Sequence, residues 1–244
     1  MIRMPFPAKK LSPLLQEKIL RLLNEINLVD FYKSYVWKQD TYDTHFSKIL
    51  NLELVITQAA KNNSLNTSHL KEIAIWGCLR NKVDIFCINE PLNLPIYHED
   101  KAADWIQSKP EEGIQMLRPQ IYGFGPTYLT KLLRFALPSE YGVIDTQLVR
   151  VFGIGDIPSK KVQLINLEYS GSDISTKSPW PEDYGKWISI LRFISKEMEE
   201  SGINCPHPRP FIEEELRLPD IWTCADVEMA LFSFAEKHIK TKKV

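Results

Sequence analysis

The 244-residue chain contains no run of eighteen apolar residues, so no transmembrane helix is expected. Met1 to Lys10 lacks the apolar segment of a signal peptide, which makes the cytoplasm the expected location. Cysteine is scarce: Cys78, Cys87, Cys205 and Cys224 are the four, and no two have C-x-x-C spacing. A disulfide framework is not expected in a cytoplasmic chain, and the thiols read as buried or incidental. Cys205 and His207 lie close together, but two ligands in a proline-rich loop are too few for zinc, so no metal is expected. An excess of charge is also missing. Thirty Lys and Arg balance 31 Asp and Glu, a net charge of −1. That argues against a general nucleic-acid binder, whose surface is basic, and leaves room only for a local positive face. No internal repeat or low-complexity stretch is present.

What remains is the composition of a helical globular protein, with 44% hydrophobic and 25% charged residues and six tryptophans. Leu15, Ile19, Leu22, Leu23 and Ile26 form the stripe of an amphipathic helix over 11–28, started by Ser12-Pro13. The aromatic run 31–37 extends that helix or begins another. Helices are expected over 44–60, over 67–79 with Thr67-Ser68 as cap, over 100–107 and over 110–121. Residues 90–95 read as extended. Val162 to Leu167 alternates in part and fits a short strand or a loop. Residues 170–181 read as an exposed insertion. Helices return over 184–198 and 220–237, while the three prolines of 204–210 exclude helix there. Lys240, Lys242 and Lys243 form a basic tail, read as a solvated end.

The stretch Gln120–Phe152 organises the rest. Gly123-Phe124-Gly125 is a tight turn, and Pro126 occupies the first turn of a helix, where a missing N–H costs nothing. Leu129, Leu132, Leu133 and Ala136 share a face of that helix. Pro138 stops it. Asp145 then takes the N-cap of a short helix carrying Leu148, Val149 and Phe152. A glycine turn that opens a helix points unpartnered backbone N–H groups outward, at the positive end of the dipole, and suits a phosphate.

Gly123, Phe124 and Gly125, followed after twenty residues by Val143-Ile144-Asp145-Thr146, resemble the helix-hairpin-helix DNA glycosylases. The form G-F-G-P-x-x-x-T-K is similar to a bacterial 8-oxoguanine-glycosylase-like branch, as is Asp226-Val227-Glu228-Met229-Ala230-Leu231-Phe232. The resemblance covers about the middle seventh of the chain. It implies a mainly all-α, two-lobed fold with a short strand or loop insertion near 160–180. A single domain, 1–244, would place 35–140 in one lobe and 1–34 plus 145–244 in the other, with the hairpin and Asp145 at the cleft. It implies cleavage of a base from double-stranded DNA, without a cofactor, by a monomer. Asp145 would be the catalytic carboxylate, and Gly123, Phe124, Gly125 and Thr127 would meet DNA.

One position departs from the pattern. Backbone-cutting relatives carry a nucleophilic lysine where this chain has Thr127, which argues for water as nucleophile. Lys131, a turn further along, reaches the same pocket only if the helix is rotated or shifted. Arg80 and Asn81 follow a helix, where relatives insert a side chain into the gap left by the extruded base; the plainer reading is a solvated helix end. Trp37, Trp76, Trp222 and Phe232 are candidates for stacking the base, though helical aromatics are commonly core. Other readings stay open: removal of modified bases from phage DNA in defence, a non-catalytic helix-hairpin-helix module in which Asp145 only caps its helix, or a helical scaffold that binds no DNA.

Overall fold

The computed structural model describes residues 9–79, 84–97, 106–157, 162–177 and 179–242. These are mainly helical. Helix α1, Pro13–Glu25, begins at Ser12, whose hydroxyl accepts from the Leu15 N–H, and buries Leu15, Ile19 and Leu22. The helix expected over 11–28 ends early because the Asn27 side chain accepts from the Asp30 N–H and starts α2, Leu28–Lys33. Strands β1, Val36–Trp37, and β2, Asp40–Thr41, then form a two-residue antiparallel pair that sequence periodicity did not show. Two residues are too few to display alternation.

Helix α3 is Ser47–Lys61 and α4 is Thr67–Trp76. The cap of α4 is Asn66 rather than Thr67 or Ser68. Asn66 accepts from the backbone N–H groups of Ser68 and His69, and the His69 ring accepts from the Asn66 N–H. Phe86–Cys87 forms β3 and pairs with β4, Ile121–Tyr122. The expected helix over 110–121 is therefore shorter. Helix α5, Pro110–Leu117, tightens into a 3₁₀ turn over Arg118–Gln120, where Pro119 has no N–H to continue it. The expected helix over 100–107 lies mostly outside the described residues.

Helix α6 is Pro126–Ala136, α7 is Thr146–Phe152 and α8 is Glu182–Glu200. Between α7 and α8, isolated bridges join Ile154 to Glu168 and Tyr169 to Ile174. The segment is a loop with bridges, exposed in part, but Ile174 and Trp180 are buried in the core. Helix α9, Arg209–Glu213, overlaps the end of the stretch expected to be non-helical, since Pro210 sits in its first turn. The last helix, α10, is Cys224–Lys242. It starts later than expected because Thr223 and Asp226 exchange cap bonds, and it runs on into the basic tail, where Lys240 pairs with Glu236.

Helix α10 packs against α2, α7 and α8, while α3 and α4 pack on α6 and α5 packs on α8. Tyr32, Phe46, Trp187, Trp222 and Phe152 fill the interior. The interior also holds ionised groups. Glu53 pairs with Arg134 at 2.6 Å and with Arg217 at 2.8 Å, and Arg217 pairs with Asp226 at 3.0 Å. Two cations and two carboxylates balance, and each is nearly inaccessible, so the network ties α3, α6, α10 and the loop after α9 into one body.

Candidate active site

The loop before Asp145 is clamped from two sides. The Trp187 indole N–H donates to the Val143 carbonyl at 2.9 Å, and the Tyr184 hydroxyl donates to the Gly142 carbonyl. From α6, the Thr130 hydroxyl accepts from the Ile144 N–H. Asp145 is then the N-cap of α7, its carboxylate accepting from the Leu148 N–H at 2.9 Å. The expected cap is present. Burial raises its pKa, opposed by the Leu148 N–H, by Lys131 and by the Gln147 N–H. The helix start alone predicts a lowered value, so burial here outweighs it.

Asp145 lines a recess together with Tyr35, Trp37, Trp76, Lys131, Arg134, Val143, Glu228 and Phe232. Lys131 is only 6% exposed. Its ammonium nitrogen lies 5.3 Å from the Trp37 ring centre, 5.1 Å from Trp76 and 4.8 Å from Tyr128. The rings offer their negative faces to the cation. Burial nevertheless lowers the lysine pKa, against the pull of Asp145 and Glu228. Lys131 is thus turned inward and lines the recess with Asp145. Helix α6 runs inward from the hairpin, so a residue one turn past Thr127 lies deeper. Thr127 itself is half-buried and does not line the recess.

The aromatic walls are held in place. The Trp37 indole donates to the Trp76 carbonyl at 2.9 Å, Trp76 meets Phe135 edge to face at 4.9 Å, and the Tyr128 hydroxyl donates to the Gly77 carbonyl at 2.8 Å. Among the described residues the Trp76 indole N–H has no hydrogen-bond acceptor, although it is shielded from solvent. Of the four aromatics expected in the pocket, Trp37, Trp76 and Phe232 line it. Trp222 does not: it is 1% exposed, donates to the Ile203 carbonyl and packs edge to face on Tyr32 in the core. Arg80 and Asn81 lie outside the described residues.

In the turn before α6, Gly123 adopts φ 89°, a left-handed conformation that favours glycine. Gly125 is the N-cap of α6, and no side chain caps that helix. A β-carbon added at Gly125 would meet no atom within 4 Å. The fold does not require glycine there, but a close approach by an external group would.

Glu228 and Arg134 were not expected in the site. The signal was available for Glu228. It stands four residues before Phe232, the spacing that puts two side chains on one helix face. Glu228 is 5% exposed, and burial first of all, with Asp145 adding to it, pushes its pKa up to about 8 against the pull of Arg134 and Lys131.

Elsewhere, Cys205 Sγ lies 3.5 Å from His207 Nδ1, which lies 3.9 Å from Asp226. The fold thus brings a third metal-ligand type to a pair that the sequence left at two. Asp226 is already engaged: it accepts from Arg217 at 3.0 and 3.1 Å and from the Thr223 N–H at 3.1 Å. A guanidinium at that distance opposes a divalent cation, and the trio reads as a closed polar core. No helix among the described residues is long and apolar enough to cross a membrane. Comparison with protein-family models, with curated proteins and with solved structures gives no match for this chain.

Proposed function

We propose that the chain is a DNA N-glycosylase of the helix-hairpin-helix type, which extrudes a damaged or modified base from duplex DNA and breaks its C1′–N bond. The observation that carries this reading is the meeting of Lys131 and Asp145 in one aromatic-walled recess, with Lys131 on the helix that the Gly123–Gly125 turn opens. The uncapped start of α6 supports phosphate binding at the turn. The walls Trp37, Trp76 and Phe232 suit the faces of an extruded base. The lining also supports a cleft between two lobes. Tyr35, Trp37, Trp76, Lys131 and Arg134 belong to 35–140, while Asp145, Glu228 and Phe232 belong to the remainder.

As the bond to the base breaks, C1′ gains oxocarbenium character, which an ionised Asp145 stabilises. The lowered pKa of Lys131 increases the fraction of neutral amine able to attack C1′. Thr127 at the usual lysine position favours water, but the burial of Lys131 beside Asp145 favours an imine and subsequent strand cleavage.

The test is base release from duplexes that each carry one altered base, drawn from oxidised, alkylated, mismatched and phage-type modified bases, with borohydride added to trap an imine. Base release with a covalent adduct that vanishes in Lys131→Gln is the expected result. Release without trapping would return the chemistry to water. Salt-dependent duplex binding with no release from any duplex would overturn the enzyme in favour of a binding module.

A further inference from the structure

We propose that Glu228 is the acid that protonates the departing base. The proposal rests on the glycosylase reading and adds a catalytic group to it. Glu228 reaches the recess from α10, where Tyr35 from the segment after α2, Lys131 and Arg134 from α6, and Asp145 from the start of α7 also face it. The Val143 N–H donates to its carboxylate. No salt bridge among the described residues joins Glu228 to a cation, and the nearby Arg134 is committed to Glu53.

Two carboxyls therefore share one site in unequal surroundings. Asp145 accepts from two backbone N–H groups at a helix start and faces Lys131. Glu228 has one such donor and deeper burial, and it holds a proton up to a pH of about 8. Burial raises the pKa of both, and the charge of Asp145 raises Glu228 further; a pair held unequal in this way divides the roles of acid and charge stabiliser. Glycosidic cleavage needs both, because the C1′–N electron pair must leave on the base and a neutral base leaves more readily.

The step balances without an added reactant. The C1′–N bond breaks with its electron pair passing to the base, and the Glu228 carboxyl proton follows it. Neutral Lys131 forms the new bond to C1′, and its surplus proton passes to the Glu228 carboxylate, which restores the acid. If water attacks instead, its proton takes the same route.

The test is the pH dependence of single-turnover base release by the full-length chain and by Glu228→Gln and Glu228→Asp, on the duplex that the unaltered protein cuts best. Release by the unaltered protein should fall as pH rises through about 8. Glu228→Gln should be about 100-fold slower at pH 7. It should lack that fall while keeping any rise due to Lys131. Glu228→Asp should recover part of the rate and the fall. A Gln variant with the parental rate, or a slow one that still falls above pH 8, would overturn the role of Glu228 while leaving the glycosylase intact. No release from any duplex by the unaltered protein would overturn both.

Discussion

The proposed reading gives Asp145 two tasks that a single substitution separates. As an N-cap it needs only an acceptor oxygen for the Leu148 N–H, and asparagine serves as well as aspartate there. As a stabiliser of positive charge at C1′ it must be ionised. Asp145→Asn should therefore leave the thermal midpoint and duplex affinity nearly unchanged and slow base release by orders of magnitude. Retained release, measured in single turnover, would reduce Asp145 to a cap. Glu228 permits a stability prediction of clear sign. Its pKa is raised on folding, so the folded chain binds more protons than the unfolded one between the ordinary glutamate value and about 8. Stability from this group is fully present at low pH and is lost as pH rises through that window. Glu228→Gln should remove the loss and stabilise the protein by roughly 2–4 kcal/mol at pH 8. Urea denaturation at pH 5 and pH 8 checks it; a variant less stable than its parent at both would refute the assignment of a strained acid. Such a gain, paired with lost activity, is the usual mark of a functional site.

Helix α6 links the Gly123–Gly125 turn to the recess. Its sequence displays one apolar face, Leu129, Leu132, Leu133 and Ala136, and implies an outer polar one. The helix is instead buried on both sides, with Thr130, Lys131 and Arg134 all inside. The first holds Ile144, the second lines the recess and the third neutralises Glu53. Polar residues on the second face of a buried helix are each assigned a partner, which is why they look like solvated positions until the partners are known. The hairpin in front of α6 is testable by its two glycines. Gly123 needs its positive φ, so replacing it strains the fold. Gly125 has open space beside it, so Gly125→Val should fold normally and weaken binding to all duplexes by about tenfold, as the loss of one or two hydrogen bonds would. Fluorescence anisotropy with several unrelated sequences measures this. A loss confined to one altered base would mean that the turn reads the base.

The whole molecule depends on charges buried far apart in sequence. Glu53, Arg134, Arg217 and Asp226 come from four segments and meet in the interior. Removing one member leaves an uncompensated charge, so Glu53→Ala should cost about 3–5 kcal/mol or more, with two guanidiniums left facing each other. Glu17→Ala, which breaks an exposed pair with Arg21, should leave the denaturation midpoint where it was. Equal midpoints for both variants would show that the network does not hold the segments together. The same network stands behind the recess, since Arg134 both lines it and holds Glu53.

Local chemistry alone settled a good part of this protein. Ser12-Pro13, the Gly123–Gly125 turn with Pro126, Asp145 as a cap and the apolar spacing of the long helices were legible because each depends on residues within a turn of one another. So was the helical class, which follows from periodicity repeated over many segments. Proximity across the chain was not legible. Lys131 became a pocket residue because α6 runs inward, and Trp222 became core because Tyr32 and Ile203 close over it. Glu228 became a strained acid because α10 carries it beside Asp145, Lys131 and Arg134. Burial and pairing are properties of what folds against a residue, and a side chain's charge state follows from them.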